Sequence, residues 1–169
     1  MTAAPIRVNR APVLTLWAAV VAETLGYPPE TALSLASAVA GTAARAKARR
    51  LGLAKDRAPE GPLAPRRTVR LLGRDIPVTE VDGQLMAAER GGTPAMPGAV
   101  AASLTRAFGD RQAEVRAAMQ ALAAGLAPEA LNRTGFRLYE AFRPEVPPDV
   151  SGWGAKAELS LARIRAAAG

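Results

Sequence analysis

Ten residues between Arg45 and Arg74 are basic: Arg45, Lys47, Arg49, Arg50, Lys55, Arg57, Arg66, Arg67, Arg70 and Arg74. Only Asp56 and Glu60 oppose them, so this segment carries +8 while the other residues sum to −1 of the total +7. The chemistry open to such a segment is electrostatic. Guanidinium and ammonium groups neutralise phosphates and release counterions, holding a polyanion with little regard for its bases. Arg45 and Arg49 are four apart and share a helical face, with Ala46 and Arg50 on the neighbouring stripe. Donors at that spacing can track along a phosphate backbone. No aromatic residue falls between Tyr27 and Phe108, so unpaired bases have nothing in this segment to stack on. These ten residues form the candidate nucleic-acid-binding set. The expected partner is a phosphate backbone, with no cofactor, no metal and no membrane.

Two ordinary causes of positive charge compete with that reading. Cations in the last turn of a helix are favoured by its dipole, by about 0.3–1 kcal/mol each. This covers two or three residues near Arg50 but not Arg66, Arg67, Arg70 and Arg74. The second cause is base composition. Only Lys47, Lys55 and Lys156 are lysines, and heavy Arg and Ala usage accompanies GC-rich coding. A uniform bias does not concentrate charge in one segment. A solvated or internally paired surface remains the plain alternative.

Other chemistries have less to draw on. Cysteine and histidine are both absent, which excludes disulfides, Cys/His zinc sites, and Ser-His-Asp or Cys-His mechanisms within one chain. Acid–base work would fall to carboxylates. Glu80 and Asp82 lie two apart on an expected strand and would share a face, while Glu140, Glu145 and Asp149 group near prolines. The stretch SGWGAKAEL sets Trp153 between glycines, either anchoring a C-terminal helix or lining a pocket with Lys156. No GxxxxGK[ST] or GxGxxG motif occurs.

In VAETLGYPPETALSLASAV, Ala22 and Gly26 are four apart and precede a turn and a second helix bearing Ala32 and Leu35. This spacing resembles the helix-turn-helix pattern, which places its second helix in the major groove. The first turns of that helix offer Glu30, Thr31, Ser34 and Ser37 rather than the Arg, Asn or Gln that read base edges. An αα-hairpin packed in the core is the competing expectation.

The elements that must position these residues follow from pattern. With 49% hydrophobic and 22% charged residues among 169, the chain can bury a core. Aromatics are only 4%, which points to closely packed helices. Val13, Leu16, Trp17, Val20, Val21 and Leu25 predict a well-buried helix from Pro12 to Leu25, ended by Gly26. Pro28, Pro29 and Glu30 open a second helix reaching about Arg50. Its small-residue middle, with Ser37 and Gly41 four apart, allows close approach to another helix.

Residues 53–67 form a basic Pro-rich loop, with Pro59, Gly61, Pro62 and Pro65. TVRLL, DIPVTEV and QLMAAE then read as short strands separated by Gly73-Arg74 and Asp82-Gly83. Pro77 is expected on an edge. Helices resume at Pro97–Phe108, Asp110–Leu126 and Pro128–Phe142. An irregular connector follows, then a last helix from about Leu159 to Ala168.

The fold expected is therefore α+β, mainly α. Its parts are an N-terminal helical hairpin (1–52), the loop (53–67), a two- or three-stranded antiparallel sheet (68–90) and three to four C-terminal helices (97–169), together one compact domain. The apolar run Val13–Ala22 is too short to cross a bilayer, and no leader is evident at the N-terminus. A cytoplasmic, non-enzymatic, nucleic-acid-binding protein is the leading expectation. The alternative is a protein-interaction or self-assembly module packing through the Ala-rich second helix. An enzyme would have to rely on carboxylate or Ser-Lys chemistry.

Overall fold

The computed structural model describes residues 6–8, 10–50, 67–88, 96–144 and 157–167; for 40–50, 67 and 74 the description is of backbone alone. The chain is mainly helical with two small antiparallel sheets, an α+β fold. In order the elements are β1 (Ile6–Arg7), α1 (Arg10–Thr24), α2 (Pro29–Arg50), β2 (Arg67–Leu71), β3 (Arg74–Val81), β4 (Gln84–Ala87), α3 (Pro97–Phe108), α4 (Gln112–Ala124), α5 (Pro128–Phe142), β5 (Glu158–Leu159) and α6 (Leu161–Ala166). A 3-10 turn, Gly109–Arg111, leads into α4.

Helix α1 is the axis of the core. Val13, Leu14 and every residue from Leu16 to Ala22 are buried, so it is apolar all round and packed on all sides. Its start at Arg10 leaves Pro12 inside the first turn, where a missing N–H costs no bond. It stops through a two-bond C-terminal cap. Gly26 has φ 108°, its N–H donates to the Glu23 carbonyl at 3.0 Å, and the Tyr27 N–H donates to the Ala22 carbonyl at 3.1 Å.

Trp17, fully buried, donates from Nε1 to the Gly135 carbonyl at 2.9 Å and meets Phe142 edge-to-face at 5.5 Å. These two contacts tie α1 to α5. Glu23 and Arg116 form a half-buried ion pair at 2.5 Å that ties α1 to α4. The hydrophobic cluster built on α1 draws side chains from every helix and from both sheets.

Helix α2 lies against α1 and β4. Thr31, Ala32, Ser34, Leu35, Ala36 and Val39 are buried, and Ser34 Oγ accepts the Ala87 N–H at 2.8 Å. Of the residues on which the helix-turn-helix likeness rests, Ala22, Ala32 and Leu35 are buried and Gly26 is exposed, and α1 and α2 pack against each other as a hairpin.

The three-stranded sheet has the order β2-β3-β4. Pro77 therefore lies in the central strand, not on an edge. Its carbonyl accepts the Ala88 N–H at 2.8 Å on the β4 side, at the rung just past the end of β4, so its missing donor falls where pairing stops. The turn between β2 and β3 is Leu72-Gly73, with φ 54° and 77°, and between β3 and β4 it is Asp82-Gly83, with φ 51° and 81°. Both have the left-handed pair that two-residue hairpins require.

The last segment differs from the short final helix expected from about Leu159. Glu158-Leu159 pairs with Ile6-Arg7 as a second two-stranded sheet, and α6 starts only at Leu161. This ribbon joins the two ends of the described chain. It escapes detection because two residues carry no readable alternation.

Candidate nucleic-acid interface

Of the ten basic residues, Arg45, Lys47, Arg49 and Arg50 lie on the described backbone of α2, which stays helical through Arg50. Arg45 and Arg49 are thus one helical turn apart, as their spacing implied. Lys55, Arg57 and Arg66 lie outside the described residues, as do residues 53–66 of the expected loop and Trp153 and Lys156, while Arg67, expected to end the loop, opens β2.

Arg67, Arg70 and Arg74 sit on the β2–β3 hairpin. Its register pairs Arg67 with Val78, Arg70 with Asp75 and Leu71 with Arg74. By the two-residue period of a strand, Arg67 and Arg74 share register parity with Val69, Leu71, Ile76 and Val78, and Arg70 has the opposite parity. The three strand arginines are therefore not one uniform stripe.

Arg70 is the candidate whose side chain is described. Its Nη1 lies 3.2 Å from Asp75 Oδ1, with both side chains 66% exposed. Exposed pairs of this kind contribute about 0.2–1 kcal/mol, so Asp75 restrains the guanidinium without removing it from reach of an anion.

The hairpin is held by one side chain of α5. Asn132 Oδ1 accepts the Leu72 N–H at 2.7 Å, and Asn132 Nδ2 donates to the Arg70 carbonyl at 2.8 Å. These are the groups that β2 would offer to a further strand, so the amide stands in for a neighbour and blunts the sheet edge beside Arg70. Below it, Leu72 is buried against Gly135, where an added Cβ would overlap Leu72 Cδ2. Leu72 takes a left-handed conformation that a Leu side chain disfavours. Burial and the Asn132 bond compensate for it.

The structure also brings Arg133 to this region. It lies on the exposed side of α5 and lines a common groove with Arg70, Gly73, Glu129 and Asn132. Sequence gives no sign of that neighbourhood, because Arg133 is far from the basic segment and sits among ordinary amphipathic-helix residues.

The carboxylate candidates do not assemble. Glu80 is exposed on β3 and Asp82 is in the following turn, so the two share no strand face. Glu140 is exposed on α5, while Glu145 and Asp149 lie outside the described residues. Among the described residues there is no group of three or more His, Cys, Asp or Glu able to hold a metal, and no helix long and apolar enough to cross a membrane. Among the described residues, the titration of Tyr139 is displaced. Burial raises its phenol above the ordinary 10.0, against the opposing pull of Arg10 and Arg143 and with a small push from Glu140. Its ring packs between Phe136 and Phe142, which makes it a core residue. No family model, curated protein or solved structure matches this chain.

Proposed function

We infer that the protein binds nucleic acid through backbone phosphates, with little base specificity, and does no chemistry on its ligand. The observation that carries this reading is the localisation of charge, +8 between Arg45 and Arg74 against −1 elsewhere. Support comes from the regular elements at both ends of that segment, the last turns of α2 and the β2–β3 hairpin, which can present cations at defined spacing. The exposure of Arg70 and the weakness of its pairing with Asp75 point the same way. Without aromatic residues in the segment, affinity would be phosphate-led, sequence-tolerant and steeply dependent on salt. A cytoplasmic location belongs to the same reading.

The test is fluorescence anisotropy with labelled random duplex and single-stranded DNA across a salt series. The expected result is binding that falls steeply with salt and weakens further in the Arg49→Ala, Arg50→Ala, Arg66→Ala, Arg67→Ala variant. Absence of binding at low salt removes the proposal.

A further inference from the structure

The β2–β3 turn and the first turns of α5 enclose a groove of about 490 Å³. Arg70 lines it from the hairpin and Arg133 from the helix. Arg133 is exposed, and its side chain makes no hydrogen bond or ion pair among the described residues. Arg70 has the exposed carboxylate of Asp75 as its partner. Glu129 lines the same groove but pairs with neither guanidinium. Two cationic forks from different elements thus open on one concavity, without a carboxylate bridging them. The Asn132 amide fixes one wall relative to the other through its bonds to Arg70 of β2 and to Leu72 of the following turn.

Resting on the nucleic-acid reading above, we propose that Arg133 and Arg70 together clamp one backbone phosphate of the bound strand in this groove. The planar guanidinium fork matches the oxygens of a phosphodiester, and two forks on a rigid frame hold it from two sides. The binding surface then extends from the contiguous basic segment onto α5, and Arg133 is a contact residue. Glu129 and Asp75 oppose the anion and keep the contact weak. A nucleic acid is favoured over other polyanions because Arg70 belongs to the strand that continues the basic segment.

The experiment compares four single variants, Arg133→Gln, Arg70→Gln, Glu129→Gln and Arg106→Gln, by anisotropy on the same random duplex from about 50 to 200 mM salt. Arg106 is an exposed arginine of α3 that does not line the groove, and it controls for loss of one charge. Loss of one phosphate contact lowers the slope of log K against log salt by about 0.9 and weakens binding about five- to tenfold near 0.1 M salt. That is the result expected for Arg133→Gln and for Arg70→Gln. Glu129→Gln should tighten binding, and Arg106→Gln should leave the slope unchanged.

If Arg133→Gln behaves as Arg106→Gln while the four-arginine variant still loses affinity, the clamp is wrong and the broader reading stands. If the unaltered protein binds no duplex at low salt, both fall. A companion titration with inorganic phosphate at constant ionic strength, read on the Gly73 and Arg133 amide resonances, separates the two phosphate sources. The clamp predicts shifts with DNA and none that saturate with phosphate. Saturation by phosphate, with an unchanged DNA slope in Arg133→Gln, assigns the groove to a free anion and overturns the proposal.

Discussion

Gly135→Ala is the sharpest test of how the hairpin is seated. Gly135 lies inside α5, where exchanging Gly for Ala ordinarily stabilises a helix by about 1 kcal/mol. Here the new Cβ would overlap Leu72 Cδ2, with Trp17 Nε1 a further 3.8 Å neighbour. Leu72 has little room to retreat, since it is 2% exposed and its N–H is fixed 2.7 Å from Asn132 Oδ1. Overpacking of a tight core costs about 1–3 kcal/mol, and a pinned neighbour puts this site at the upper end. Setting about 3 against the helix gain of about 1 leaves a net loss of about 2 kcal/mol. For a chain of this size that is a fall in Tm of about 4–8 °C.

The decisive comparison repeats the substitution in a Leu72→Ala background, with stability read by urea denaturation. Once the Leu72 side chain is truncated the overlap disappears and only the helix gain remains, so Gly135→Ala should become stabilising. A reversal of sign between backgrounds is expected, with a coupling of about 3 kcal/mol. A neutral or stabilising effect in the unaltered protein, or equal effects in both backgrounds, would refute the account of hairpin seating.

Asn132→Asp keeps the acceptor for the Leu72 N–H but replaces the donor to the Arg70 carbonyl with a second acceptor. A loss of about 1–2 kcal/mol is expected, with faster exchange of the Leu72 amide, and unchanged exchange there would contradict the edge-blocking role. Tyr139→Phe tests the alkaline limit. Burial raises the folded-state pKa above the ordinary 10.0, so the neutral phenol's contribution is fully present below about pH 10. It declines as pH rises from there through the folded pKa, because the unfolded chain releases its proton first. The variant should therefore lose less stability than the unaltered protein between neutral pH and strongly alkaline pH, and parallel pH profiles would count against burial as the cause.

Most of the architecture is legible in the chain because it rests on local signals. Pro97–Phe108 and Pro128–Phe142 match their expected bounds, since each opens with proline and carries an apolar period of 3.6 residues. The hairpin at Asp82-Gly83 follows from its turn chemistry. The Leu72-Gly73 turn is displaced by one residue from expectation, because a leucine in the left-handed region is not a turn signal. It is tolerated only through contacts with Asn132 and Gly135 on a distant helix.

The location of the candidate binding segment also comes from the sequence. A run of like charge is a local property, countable before any fold is known. Which arginines share a face is not, because strand parity separates Arg70 from Arg67 and Arg74 while chain folding brings Arg133 to the side of Arg70. Periodicity and charge are written residue by residue, so the sequence alone determined the helices, the hairpins and the basic segment. The Asn132 clip, the Gly135 seat and the Arg70–Arg133 groove each join residues far apart along the chain. Only packing in three dimensions could decide them.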